Sequence, residues 1–341
     1  MKKGAKRRTR VALIYGGVGG EREVSKLGIK TVLSLIDKEK YIPYPVEISD
    51  TGEWFARSGS DERIPVHPVR RGGKSGFVME ERFLPCQVAF PLLHGEWGED
   101  GRVQGLLDCL GFKYVGCSCF AGAVAFDKAC TKIIAESLGI PTVRWIATDK
   151  EETADGALRL AEENIGYPMF IKPSAQGSSI GAGLARCREE FKQIFETAKA
   201  ASDGRVLIEE YLEEKRELEC AYLELPDEQL VTPPGEVIIR GFYGYGEKYL
   251  GKGAVVITPE AKVSDEVKKK TREYALLLKK ALCIRHLSRF DFFLTQDRLY
   301  INEVNTMPGF TEDSLYPLMI EKAGIEKGRL ISILIDAALG K

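Results

Sequence analysis

Ser288-Arg289-Phe290-Asp291-Phe292-Phe293-Leu294, the connection Thr295–Arg298 and Leu299-Tyr300-Ile301-Asn302-Glu303-Val304-Asn305 read as two strands joined by a short turn. Side chains alternate between the faces of a strand, so Arg289 and Asp291 share a face, as do Glu303 and Asn305. With Gln296–Arg298 as a three-residue loop, Asp291 comes opposite Glu303 and Arg289 opposite Asn305. One patch then carries two carboxylates, an amide oxygen and a guanidinium. Facing carboxylates repel unless a cation lies between them. Oxygen ligands of this kind suit Mg²⁺, with phosphate oxygens completing the shell. The plain alternative is a solvated hairpin face, but Asn305-Thr306-Met307-Pro308-Gly309 follows directly and fits a tight functional turn.

Working outward, Phe170-Ile171-Lys172-Pro173-Ser174-Ala175-Gln176-Gly177-Ser178-Ser179-Ile180-Gly181 puts a lysine at a strand end, ahead of small residues and glycines. Such a composition lets backbone N–H groups approach phosphate oxygens. The order is not that of a Walker loop, because the lysine precedes the glycines. Lys128 follows a helix-capping Asp127, and Glu209-Glu210 ends a strand. Residues 241–253, rich in glycine and tyrosine, suit a lid over a ligand. Near the start, Gly16-Gly17-Val18-Gly19-Gly20-Glu21 joins strand to helix, and Arg22 stands where a dinucleotide fingerprint requires its third glycine. Glu21 instead sits at a helix start, where a carboxylate is favoured and can face an ammonium. His94-Gly95-Glu96-Trp97-Gly98-Glu99-Asp100-Gly101 forms another strand-to-helix loop at the same carboxyl edge, where open α/β sheets bind ligands.

The chain's 341 residues, 44% of them apolar, suffice for two or three packed domains. A formal charge of −1 argues against a basic nucleic-acid binder, and no apolar run approaches the roughly 20 residues that cross a bilayer. The basic start, Lys2–Arg10, precedes only five apolar residues, short of the roughly 7–15 of a secretory segment. Eight scattered cysteines form no C-x-x-C pair; we read them as reduced thiols in a cytoplasmic protein without a zinc site. Strands are expected at Val11–Tyr15, Tyr41–Ile48 and Val88–Leu93, with helices over 21–36 and 103–110. This alternation predicts an α/β fold that opens with a parallel unit of about 120 residues. Divisions are expected near 122 and 208. A helix from Asp127 to Leu138, strands at Pro168–Lys172 and Val206–Glu210, a helix over 189–201 and a long helix over 264–282 follow.

Taken in order, these segments resemble the D-alanine–D-alanine ligases of the ATP-grasp superfamily over almost the whole chain. The matching pieces are Gly16-Gly17…Glu21-Arg22-Glu23-Val24-Ser25, His94-Gly95…Gly98-Glu99-Asp100-Gly101, Asp127-Lys128, Lys172-Pro173…Gly177-Ser178-Ser179…Gly181, Glu247-Lys248-Tyr249, Arg289-Phe290-Asp291 and Asn302–Gly309. Gly19 replaces a usual serine, and Ala175-Gln176 replaces a usual charged pair.

The resemblance implies an ATP-grasp fold of three domains: a substrate domain (1–122), a central domain (123–207) and a C-terminal domain with the metal and catalytic site (208–341). It implies a D-alanyl phosphate made from ATP and then captured by a second D-alanine, yielding a dipeptide for peptidoglycan. Asp291, Glu303 and Asn305 would hold two Mg²⁺ ions, with Mn²⁺ as a substitute. Lys128, Lys172, Ser179 and Lys248 would meet the phosphates, Glu209 adenine and Glu217 the ribose. Arg289 and the Gly309 N–H would stabilise an oxyanion. Glu21 would bind the first ammonium, His94 the first carboxylate and Ser314 the second. Ser178 and Tyr249 would fix Glu21 and the lid. A homodimer through the first domain is also implied. The alternatives are a ligase for D-serine or D-lactate, an ATP-binding regulatory protein without turnover, and a nicotinamide-dependent dehydrogenase resting only on the first glycine turn.

Overall fold

Val11–Ile14 is wholly buried, as a strand covered on both faces must be. In the computed structural model, which describes residues 8–57, 62–239, 255–296 and 298–341, this stretch is the centre of β1 (Thr9–Gly16). Helix α1 (Arg22–Leu35) returns the chain to β2 (Tyr41–Ile48), parallel to β1, and β8 (Val88–Pro91) pairs with β1's other edge, also parallel. The parallel part is narrower than the sequence suggests. Between β2 and β8 the chain makes β3 (Trp54–Arg57) and β4 (Arg63–Pro65), which extend the sheet antiparallel. It also makes a separate antiparallel sheet of β5 (His67–Arg71), β6 (Lys74–Met79) and β7 (Arg82–Pro85). Two-residue turns at Gly72-Gly73 and Glu80-Glu81, all with positive φ, close the two hairpins of that sheet. A glutamate pair is an unusual occupant of such a turn, which hides the second hairpin from a turn-residue reading.

After α2 (Arg102–Cys109), helices α3 (Cys119–Phe126) and α4 (Lys128–Ser137) lead to a four-stranded antiparallel sheet. It comprises β9 (Trp145–Ala147), β10 (Met169–Pro173), β11 (Gly183–Ala185) and β12 (Val206–Glu210), in the order β11-β10-β12-β9. Helices α5 (Ala154–Asn164) and α6 (Arg188–Ala200) cover one face through Ala157, Ala161, Phe191 and Phe195, packed on Ile171 and Ile208. Alternation then turns Lys172 and Glu209 to the opposite face.

The third sheet runs β16-β15-β13-β17-β18, with β14 on β13. Its strands are β13 (Arg216–Glu224), β14 (Gln229–Val231), β15 (Gly235–Ile239), β16 (Val255–Thr258), β17 (Leu287–Leu294) and β18 (Leu299–Asn305). Helix α7 (Asp265–Ala281) packs on one face with Ala121, Ala125 and Ala135 of α3 and α4, burying Leu218, Cys220, Phe290 and Phe292. The expected divisions near 122 and 208 thus fall inside α3 and β12.

The last helices, α8 (Leu315–Lys322) and α9 (Lys327–Leu339), return to the beginning of the chain. Leu330, Ile331, Leu334 and Ile335 share a core with Val11, Leu13, Val88 and Phe90. Leu334 is fully buried in that core. Leu334→Ala is therefore expected to lower the unfolding free energy by about 2–5 kcal/mol. Urea denaturation reads this directly, and an unchanged midpoint would mean that α9 is not docked on the first sheet.

Candidate active site

The hairpin places Arg289 opposite Asn305 and Asp291 opposite Glu303, and β13 adds Glu219 opposite Asp291 on the other side. Glu219, Asp291 and Glu303 therefore form a row across three strands. The route to that register differs from expectation. Leu294 pairs with Leu299, so the turn has four residues, 295–298, not three; Thr295 N–H donates to the Arg298 carbonyl at 3.0 Å. Asp297 lies outside the described residues. A bulge between the pairs 291/303 and 292/301 leaves Asn302 as the extra residue and restores the register. The bulge also lets consecutive side chains serve one site: Asn302 Oδ1 accepts from Lys172 Nζ at 3.3 Å, while Glu303 Oε2 lies 3.3 Å from Lys128 Nζ.

Each carboxylate in the patch is matched by a cation. Arg289 grips Asp291 with two hydrogen bonds, 2.7 and 2.6 Å, and its Nε lies 3.0 Å from Glu219. Asn305 Nδ2 donates to Asp291 at 3.0 Å, which turns its amide oxygen away from that carboxylate. On the second sheet, Glu209 lies between Lys132 (2.8 Å) and Lys172 (2.7 Å), all three buried. Burial alone would raise the Glu209 carboxyl, but the two lysines outweigh it and bring its pKa down to about 2. Burial is also the main influence on Lys172, and it lowers the ammonium from its usual value despite Glu209. Lys128 Nζ donates to the Gln176 carbonyl at 2.6 Å, and Ser174 Oγ donates to the capping Asp127, tying the glycine loop to the start of α4.

At the other end of this loop Ser178 Oγ donates to Glu21 Oε1. Ser178 and Ser179 both adopt left-handed φ, 51° and 57°, a strained conformation for non-glycine residues that recurs at ligand clamps. A side chain at Gly95 or Gly177 would run into the Glu21 carboxylate, so backbone closes over this acid from two loops. His94 Nδ1 donates to the Met307 carbonyl at 3.0 Å and lies 3.8 Å from Glu99. Burial opposes its charged form, but Glu99, Glu21 and that carbonyl outweigh burial and raise the imidazole above its usual value. Beyond Met307, Ser314 Oγ accepts from Thr311 N–H at 3.0 Å and closely abuts Gly309.

The structure thus gathers the expected residues in two groups. Lys128, Lys172, Glu209, Arg289, Asp291, Glu303 and Asn305 meet at the seam of the second and third sheets. Glu21, His94 and Ser178 meet where the first sheet's loops reach the glycine loop. Glu217 lies on β13 two residues before Glu219, with Lys215 at 3.6 Å. The Glu209 carboxylate, expected beside a base, is engaged by lysines. Lys248, Tyr249 and the 241–253 lid lie outside the described residues. Lys132 and Glu219 are passed over in the sequence reading, and Asn302 and Glu99 are quoted there within motifs without being given a role. Lys132 was discoverable, since a residue four after Lys128 shares its helix face. Asn302 was not, because only the bulge turns it inward.

Among the described residues no three His, Cys, Asp or Glu side chains form a metal-chelating group. By donor type Asp291, Glu303 and Asn305 would suit Mg²⁺ as hard-oxygen ligands that phosphate oxygens would complete, with the Asn305 amide reversed from the orientation in which it donates to Asp291.

Two family models match in succession: the D-ala D-ala ligase N-terminus over residues 10–117 and the D-ala D-ala ligase C-terminus over 134–336. The chain belongs to the D-alanine–D-alanine ligase family. Within it, the chain is 39% identical to D-alanine–D-alanine ligase A of Mesorhizobium japonicum, covering 98% of this chain and 99% of that one. It is 37% identical to the D-alanine–D-alanine ligase of Ruminiclostridium cellulolyticum, over 96% and 95%. Among solved structures it resembles the VanG D-Ala:D-Ser ligase of Enterococcus faecalis (TM-score 0.88, 31% identity, 97% and 100% covered). It equally resembles D-alanyl-alanine synthetase A of Vibrio cholerae (TM-score 0.88, 28% identity, 98% and 99% covered). The family is one of ATP-dependent ligases with the ATP-grasp fold, and the mixed α/β architecture agrees with it.

The depressed Glu209 pKa makes a pH prediction for this family member. A carboxyl titrating lower in the folded than in the unfolded chain stabilises the fold above its unfolded value, here 4.5, and that contribution is lost as pH falls towards about 2. Glu209→Gln should therefore be less stable than the parent at pH 7, with the gap narrowing below pH 4.5 in urea titrations. A gap independent of pH would remove the ion-pair account.

Proposed function

We propose that this chain joins two D-alanine molecules through a D-alanyl phosphate, with Mg²⁺ and ATP, as a precursor step for peptidoglycan. The observation that carries the reading is the meeting of Lys128 and Lys172 with Glu303 and Asn302 across the sheet seam, in a chain aligned end to end with D-alanine–D-alanine ligases.

In this reading the first D-alanine places its ammonium against Glu21, held by Ser178, and its carboxylate near His94. A carboxylate oxygen attacks the γ-phosphorus and ADP leaves. Lys128 and Lys172, with Ser179, neutralise the inner phosphates, and Lys248 the outer one; compact ammonium charges suit that task. Bound Mg²⁺, held by Asp291, Glu303 and Asn305, would supply positive charge to the transferring phosphoryl group. The second D-alanine, its carboxylate at Ser314, attacks the acyl carbon with its amine. The carbonyl oxygen becomes an oxyanion facing Arg289 and the Gly309 N–H, then phosphate leaves and the amine sheds its proton. Tyr249 and the rest of the 241–253 segment would close over the intermediate and exclude water. Glu209 and Glu217 would flank the nucleoside end. We further propose a three-domain division, a homodimer through the first domain, and a cytoplasmic location. No helix among the described residues is long and apolar enough to cross a membrane.

Phosphate release from Mg-ATP with D-alanine alone, with the dipeptide identified by mass, tests the reaction. Release only when D-serine accompanies D-alanine would move the chain to the specificity in the name of the Enterococcus protein. Glu303→Gln should lose about a hundredfold or more in turnover while remaining folded. Parent-like turnover in that variant would remove the metal assignment.

A further inference from the structure

Lys132 has no exposed surface, yet burying an ammonium carries a desolvation penalty that an apolar side chain of similar length would not. Its carboxylate partner, Glu209, already has Lys172 at 2.7 Å, so Lys132 at 2.8 Å is a second cation on one anion. The two lysines take different oxygens: Lys132 faces Oε1 and Lys172 faces Oε2. Without Lys132, Glu209 and Lys172 would form a neutral pair. With it, the cluster carries one net positive charge. Lys132 itself is sealed inside, whereas Lys172 reaches the seam, where its Nζ also contacts Asn302.

We propose that Lys132 is a positioning residue for nucleotide binding: it neutralises Glu209 from behind, so that Glu209 can hold Lys172 in place without cancelling the charge Lys172 presents to phosphate. The inference rests on the proposed nucleotide role of Lys172, and it concerns phosphates only. The helix makes this arrangement available. Lys128 and Lys132 lie four residues apart on α4, so one face delivers Lys128 to Glu303 at the seam and Lys132 to Glu209 one turn deeper.

Calorimetric titration of the folded protein with ATP, ADP and adenosine tests this without turnover. Lys132→Met should weaken ATP and ADP by about tenfold or more while leaving adenosine unchanged. In Lys132→Met/Glu209→Gln the net charge at Lys172 returns, and the ratio of ATP to adenosine affinity, which cancels any effect of Glu209 at the nucleoside end, should return most of the way to the parent's. An equal loss for adenosine, no loss for ATP, or a double variant no better than the single would each overturn the proposal. Should Lys132→Met not fold, Glu209→Gln alone decides: because Glu209 also flanks the nucleoside end, the readout is the ratio of ATP to adenosine affinity, which added net charge should hold or raise and whose fall would refute the charge argument. A parent protein that binds no ATP would instead sink the ligase reading on which this one stands.

Discussion

Charges collected at a seam between sheets must be matched within hydrogen-bonding distance, because the low dielectric there makes an unmatched one expensive. That constraint organises this protein. Arg289 takes Asp291 and approaches Glu219, Lys128 takes Glu303, and Lys132 and Lys172 share Glu209. Every one of these pairs links different secondary-structure elements except Arg289–Asp291, which lies along one strand. The matching therefore sets how α4, β10 and β12 meet β18. A ligand made of phosphates and a divalent cation is complementary to such a set, since it carries both signs and can exchange partners with lysines and carboxylates at little net cost in charge.

The hairpin shows how far sequence reasoning reaches. Alternation and a short turn suffice to put Asp291 opposite Glu303, and the structure has that register. Yet the turn is one residue longer than expected, and the bulge at Asn302 cancels the error. A bulge is settled by packing across strands, here including the bond from Ile301 N–H to the Pro141 carbonyl, which no local pattern encodes. Glu219 was invisible for a similar reason, because its neighbour in space is 72 positions away. Helix boundaries were more legible, since capping is local: Asp127, Ser264 and Thr153 each accept hydrogen bonds from the first turn of their helices. The helix after Thr153 nevertheless goes unnamed in the sequence reading, although it buries Ala154, Ala157, Leu158 and Ala161 along one face.

The region from β3 to β7 departs from the simple parallel unit that the sequence suggests. Short, charged strands such as Arg63–Pro65 and Arg82–Pro85 have little apolar alternation to announce them. They persist because pairing satisfies their backbone groups and because Phe77 packs with Tyr44, Trp54 and Phe112. Beneath β3 and β4, Glu47 is wholly buried and is reached by Arg22, Arg57 and Arg63. Burial favours its neutral form, but the three guanidinium groups outweigh burial and lower its pKa. Glu47 of β2 thus anchors Arg22, the residue after Glu21, and with it the start of α1, while β3 and β4 bring Arg57 and Arg63 to the same carboxylate.

The two groups of site residues are joined by the turn that follows β18. Met307 is buried in the core that the first sheet shares with α8 and α9, and its carbonyl accepts from His94. Phe310 packs edge-on against Phe90 of β8, with ring centres 5.7 Å apart. The segment that begins with Glu303 and Asn305 is therefore clamped to the first sheet within five residues, just before Ser314 caps α8. A chain that ended at β18 would have no such clamp. By returning α8 and α9 to β1 and β8, the fold makes the position of the carboxylate patch relative to Glu21 and His94 a property of one hydrophobic core, not of a flexible connection.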